Sequence, residues 1–314
     1  MIRRKFIEKS AVASLAFGTG FISCQEKSQT SYAKKKETNM LEISLAQWSL
    51  NQSFFNKKLD ANDFASITKT VHGISAVEYV NQFYVDQASD EKFWNEMKNR
   101  ADNVGVSSLL IMVDDEGDLG NLNNSEREQA VENHYKWVNA AKLLGCHSIR
   151  VNAFGDGDKD QVGTALEDGL GKLAEYSAKE DINVLIENHG LYSSDGAWIA
   201  QLIKNVKSPY LGTLPDFGNW CTNIKWGSIH GEGCETVYDI YQGVSDFLPF
   251  AKGVSAKAYN FNEDGEETSI DFAKMIAIVK EAGFNGHIGV EYEGSSLSEV
   301  DGIRATKTLI EKYI

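Results

Sequence analysis

The chain has 314 residues, 42% of them hydrophobic, with 27 glycines and only 3 prolines. That suffices for one large domain with a substantial core and argues against long disordered linkers. Its formal charge of -14 is unevenly placed: residues 1–36 carry 8 basic against 2 acidic side chains, and the remainder 23 against 43. A body this acidic repels nucleic acid, and with only six arginines in the whole chain it is poorly equipped to hold polyphosphates.

The N-terminus reads as a targeting segment. Arg3-Arg4-Lys5 opens it with a twin-arginine pair, and Ser10 to Ser23 is apolar, rich in small residues and too short for a stable bilayer span. Ile22-Ser23-Cys24 resembles a bacterial lipoprotein cleavage site with Cys24 as the lipidated residue, although Phe21 stands where leucine is usual. The expected organisation is a twin-arginine, lipoprotein-like signal over 1–24, a polar tether over 25–39 and a catalytic domain over 40–314. The protein is expected to be exported, to the periplasm or as a membrane-anchored lipoprotein of a bacterium. No second hydrophobic segment is long enough to span a membrane.

From residue 43 onward, short apolar runs alternate with amphipathic helical patterns. Ile43–Trp48 is the first strand and Leu59–Thr70 the first helix. Gly73–Tyr79 is followed by a helix over 90–103. Val106–Val113 is followed by a helix over 125–144, with Ser125 and Glu128 spaced as a capping box. His147–Asn152 precedes a helix over 160–179, Ile182–Glu187 one over 195–206, and Leu211–Asp216 one over 235–247. Gly253–Tyr259 precedes a helix over 270–282, with Gly283 as its stop, and His287–Glu291 one over 297–313. Eight strand–helix units in a single domain predict an α/β fold, a (β/α)8 TIM barrel, with a doubly wound open sheet as the alternative. No GxGxxG follows the first strand, which weakens a dinucleotide-binding reading.

The catalytic face of such a barrel lies at the strand C-termini. Those ends supply Trp48, Glu78, Asp114, Asn152, Glu187, Asp216, Lys257 and Glu291. Asp114, with Asp115 and Glu116 beside it, reads as a solvated loop residue. Glu187, Asp216 and Glu291 each end an apolar run and are followed by turn-forming residues. Three carboxylates at one mouth raise one another's pKa unless a cation neutralises them, and an all-carboxylate site suits Mg or Mn ahead of Zn. His72, His147 and His287 fall at strand starts and His134 inside a helix, which leaves His189 and His230 for the mouth. His189 is an acid/base or hydrogen-bonding candidate. Arg150 and Asn152 share a face and either bind hydroxyls or, for Arg150, pair with a buried carboxylate. Trp48, Tyr79, Trp220, Trp226, Tyr259 and Tyr292 offer faces for a sugar ring, with core packing the default for each. Cys221 and Cys234 flank a glycine-rich excursion. In an oxidising compartment they are able to close it as a disulfide, the alternative being two free thiols. Cys146 reads as a buried thiol.

Ile186-Glu-Asn-His189, Pro215-Asp-Phe-Gly-Asn219, Val254-Ser-Ala-Lys257 and Val290-Glu-Tyr-Glu-Gly294 together resemble the sugar phosphate isomerase/epimerase superfamily of xylose isomerase-like barrels, over about residues 41–314. The resemblance implies a divalent metal held by Glu187, Asp216 and Glu291, with the two glutamates also the acid/base pair. It departs from the family where Ser255 replaces the metal histidine and Asn219 a second histidine. Lys257, on the same face as Ser255, is the alternative source of positive charge. The implied chemistry is proton abstraction next to a carbonyl, with Glu187, Glu291, His189 and Lys257 as catalytic residues. Trp48, Glu78, Arg150, Asn152, Asn219 and His230 are the substrate-binding candidates. The first reading is a sugar isomerase or epimerase acting on an unphosphorylated sugar or keto-sugar. The second is a lyase that expels the aglycone of a 3-keto-glycoside, and the third a non-catalytic carbohydrate-binding lipoprotein. The superfamily's abasic-site endonucleases need histidines for zinc and a basic face, and this chain offers neither.

Overall fold

The computed structural model describes residues 41–314; the expected signal segment and tether lie outside the described residues. Eight strands form one sheet: β1 (Leu41–Ala46), β2 (Ala76–Val80), β3 (Ser107–Met112), β4 (Ser148–Asn152), β5 (Asn183–Glu187), β6 (Leu211–Leu214), β7 (Val254–Ala258) and β8 (Gly286–Tyr292). They run in the order β6-β5-β4-β3-β2-β1-β8-β7, and every ladder is parallel. The two edges, β6 and β7, meet through parallel bridges at Thr213–Ala251 and Asp216–Ser255 rather than a ladder. Backbone N–H groups of Ser255 and Phe217 donate across that seam, at 2.9 and 3.0 Å, to Pro215 O and Ser255 O.

Side-chain alternation explains what this geometry does with the sequence. Val184 and Ile186 of β5 point outward into the large core between sheet and helices. Leu185 points inward, where it packs with Ala46, Val80, Leu110, Met112 and Leu214. Two residues beyond these inward positions come the polar side chains: Asp114 after Met112, Glu187 after Leu185, Asp216 after Leu214. The barrel axis therefore runs from an apolar plug to a polar mouth. No helix among the described residues is long and apolar enough to cross a membrane.

Several expected boundaries shift for local reasons. The helix over 124–144 is capped by Asn123, whose side chain accepts from the N–H groups of Ser125 and Glu126, so the expected capping box at Ser125 does not form. The helix expected from 235 begins at Ile240, because the Asp239 side chain caps it there. The first expected helix is split over 61–72 into 3-10, α and π turns, ending at Gly73 with φ +66°. Cys221 and Cys234 form a disulfide that closes the excursion after β6, and Cys146 is a buried free thiol.

Candidate active site

Glu187 at the end of β5, Asp216 two residues beyond β6 and Glu291 in β8 are all buried, and a carboxylate oxygen from each lies within 4.8 Å of the others. Asn188 fixes the relation of β5 to the β6 turn: its amide donates to Asp216 O and Asn219 O, and its oxygen accepts from Asp216 N–H. Asp216 Oδ1 accepts the N–H groups of Gly218 and Asn219, both at 2.8 Å, which leaves Oδ2 aimed at the cluster. There Ser255 Oγ stands 2.6 Å from Asp216 Oδ2 and 2.7 Å from Glu291 Oε2. One hydroxyl proton serves only one of two carboxylate acceptors. The other contact calls for a carboxyl proton or a cation between the oxygens.

Two buried cations flank the cluster. Arg150 Nη1 donates to Asp114 Oδ1 at 2.5 Å, and its Nε lies 2.7 Å from Glu187 Oε2. That second contact is close in distance but badly aligned, so both atoms lack a directed hydrogen bond and the pair is held by charge alone. Lys257 Nζ lies 3.4 Å from Glu291 Oε1 and 3.3 Å from Glu293 Oε1. Burial opposes the charge on Lys257, but Asp216, Glu291 and Glu293 outweigh it and hold the ammonium well above its ordinary pKa. Burial pushes Glu187 well above the carboxylate range against the pull of Arg150, and pushes Asp216 up to about 7. Burial also favours the neutral form of Asp114, yet the charge and hydrogen bond of Arg150, helped by Asn152, prevail and its pKa falls. Asp114 also accepts from Asn152 Nδ2 at 2.7 Å, which turns the Asn152 oxygen toward His189 Nδ1 at 2.8 Å. His189 therefore donates from Nδ1. Burial, reinforced by Arg150, drives its pKa well down, so the ring is neutral with Nε2 as the acceptor.

The profile of the xylose isomerase-like TIM barrel family matches residues 70–313. The chain belongs to that family. Among proteins of known activity it is similar to the 3'-dehydrocarminate deglycosidase alpha subunit of Microbacterium sp., 22% identical over 265 residues, covering 64% of this chain and 73% of that protein. Among solved structures it resembles the 3-keto-D-glucoside 4-epimerase of E. coli, with a TM-score of 0.60, 13% identity and coverage of 87% of this chain and 99% of that one. The D-allulose 3-epimerase of Methylomonas sp. gives 0.62, 13%, 88% and 99%. At these identities the structural likenesses establish the fold.

Within this xylose isomerase-like barrel the three carboxylates offer a hard, all-oxygen donor set that can hold a metal ion. The hydroxyl of Ser255, in contact with both Asp216 Oδ2 and Glu291 Oε2, fits a cation among these oxygens. Above the cluster opens a cavity of about 360 Å³. Of the expected site residues, Trp48, Arg150, His189, Asn219, Lys257 and Glu291 line it, and Asn152 reaches it through His189. Asn219 stands beside Glu187, its amide donating to Oε1 at 3.4 Å.

Two expected substrate-binding residues lie elsewhere. Glu78 sits one layer deeper, accepting from Ser44 Oγ at 2.5 Å and packed over Gly289, because β2 runs on to Val80 and carries Gln82 to the mouth instead. His230 is exposed, bonded through Nε2 to Ser269 Oγ and set edge-on to Tyr259, away from the cavity. Of the aromatic candidates only Trp48 and Trp226 line the cavity; Tyr79, Trp220, Tyr259 and Tyr292 are buried in the core. Sequence reasoning set aside Asp114, whose acidic neighbours disguised a buried ion pair, and passed over Glu293, the second partner of Lys257. Alternation beyond Met112 and Glu291 was the signal that pointed to each.

Proposed function

We propose that this protein is an enzyme that removes the proton next to a carbonyl in an unphosphorylated keto-sugar or keto-glycoside. The observation that carries the reading is the convergence of Glu187, Asp216 and Glu291, all buried, in one cluster, with Glu291 and its partner Lys257 lining the cavity. Buried carboxylates of this number cost stability and are retained where chemistry needs them.

Glu187 and Glu291 form the acid/base pair: one takes the carbon-bound proton and the other returns it at the opposite face or the adjacent carbon. Burial favours the protonated form of Glu187. Lys257, held charged, donates to the oxygen that becomes the enediolate. Neutral His189 accepts a substrate hydroxyl at Nε2. Glu187, Asp216 and Glu291, beside the neutral Ser255, would hold a divalent cation, which would supply Lewis-acid polarisation of the carbonyl; the oxygen donors suit Mg or Mn ahead of Zn. Phosphate is a poor fit. Asp114, Asp115, Glu291 and Glu293 face the cavity against two cations that already have carboxylate partners.

Isomerisation or epimerisation is the first reading. Elimination is the second: the same carbanion expels a leaving group β to the carbonyl. The relative named as a 3'-dehydrocarminate deglycosidase, dehydro denoting oxidation by loss of two hydrogens, favours it. We also propose that the protein is exported, in keeping with its disulfide, and anchored through Cys24. The test is turnover of a panel of keto-hexoses, 3-keto-glucosides and sugar phosphates. Activity confined to sugar phosphates contradicts the proposal, and binding of sugars without any turnover supports a carbohydrate-binding protein.

A further inference from the structure

The excursion after β6 is built to hold one side chain in place. The Cys221–Cys234 disulfide closes it. A bridge between Gly190 and Lys225 ties it to the end of β5, with Leu191 N–H donating to Ile224 O at 3.0 Å and Gly227 N–H to His189 O at 3.1 Å. The two backbones cross so closely that a Cβ on Gly190 would lie 2.2 Å from Ile224 O, and one on Gly227 2.4 Å from Gly190 Cα. At the tip, Trp226 adopts φ +61°, a left-handed conformation unfavourable for a bulky residue. Edge-to-face contacts with His189 at 4.8 Å and Phe154 at 5.2 Å brace its indole. Despite this bracing Trp226 stays 42% exposed, and it lines the cavity.

A disulfide, a glycine crossing and a strained backbone thus present a rigid apolar face to solvent above a charged floor. Across the same cavity stands Trp48, with the exposed ring of Phe55 beside it at 6.0 Å. Such a rim suits a group unlike the hydroxyl-rich ring that the floor is equipped to bind. We propose that Trp226 is the wall of a second subsite, which takes a flat, apolar aglycone joined to the reacting sugar. This rests on the reading that a sugar is bound over Lys257 and Glu291, and it makes glycosides, rather than free sugars, the better ligands.

The experiment is calorimetric binding of phenyl and methyl β-glucopyranoside to the wild-type protein and to Trp226→Gly, a substitution that suits the positive φ. Neither glycoside needs to react, so the outcome is independent of whether the enzyme turns over a keto-sugar. Stacking on the indole is expected to make the phenyl glycoside bind about tenfold more tightly than the methyl one. Trp226→Gly should abolish that preference, bringing the phenyl glycoside's affinity down to that of the methyl glycoside in the same variant. Equal affinities in the wild type, no binding of either glycoside, or a preference that survives in Trp226→Gly overturns the proposal.

Discussion

Lys257 lies 3.4 Å from Glu291 and 3.3 Å from Glu293, in a place water barely reaches. Removing one partner from a buried charge pair costs about 3–5 kcal/mol, since the other charge is left without compensation. Lys257→Met is therefore expected to lower the thermal midpoint by roughly 10 °C and turnover by at least about a hundredfold. Unchanged turnover in the folded variant would remove Lys257 from the chemistry. Glu78 presents the opposite case, a buried carboxyl bonded only to Ser44, with Oε2 unpartnered. Burial raises its pKa from 4.5 to about 7. Between those values the folded chain holds the proton and the unfolded chain has lost it. Stability thus falls as pH rises through this window, with a deficit of roughly 3 kcal/mol once pH passes 7. Glu78→Gln should match the wild type near pH 5 and exceed it at pH 8 in denaturant midpoint. A difference that does not grow with pH would show that Glu78 is not the group responsible.

Strands β1, β2, β3, β5 and β6 deliver their site residues by one rule: the inward residue two places past the apolar plug reaches the site. The helices behind the strands owe their starts to side-chain caps: Asp90, Asn123, Asp158, Asp195, Asp239, Asp271 and Ser298 each accept from first-turn N–H groups. The cap at Asn123 is open to direct test. Asn123→Ala should cost about 1 kcal/mol, while Ser125→Ala, at the position the capping-box spacing favoured, should change stability by less than about 0.5 kcal/mol. Comparable losses from both would restore Ser125 to the cap. The loop after β6 owes its position to covalent and steric closure instead. Gly190, at φ +99° and against Ile224 O, tolerates no side chain, and Gly190→Ala is expected to displace Trp226 and to lower the thermal midpoint.

At the scale of the whole molecule, the barrel was legible in the sequence because eight apolar runs alternate with helical patterns, and the carboxylate cluster because its members end three of those runs. Glu187, Asp216 and Glu291 each end an apolar run, Lys257 shares a face of β7 with Ser255, and the fold brings the four together. What alternation does not encode is depth and loop path. Glu78 lies on the inward face, but β2 continues to Val80 and leaves it a layer too deep. His230 and Trp226 share one loop, yet only the glycine crossing at Gly190 decides which of them reaches the cavity. Asp114 was disguised by its acidic neighbours, and its pairing with Arg150, 36 residues away, exists only in three dimensions. The seam between β6 and β7 brings Asp216 against Ser255, so fold closure and the site share the same residues. Carbon-acid chemistry at this cluster is tested most directly by solvent exchange. A keto-glucoside is incubated with the metal-supplemented enzyme in deuterated water, and the carbon next to its carbonyl is followed by proton NMR. Loss of that proton signal with wild type, and its retention with Glu187→Gln, is the expected result. A keto-glucoside that binds and keeps the proton with wild type, or loses it equally fast with Glu187→Gln, contradicts the assignment.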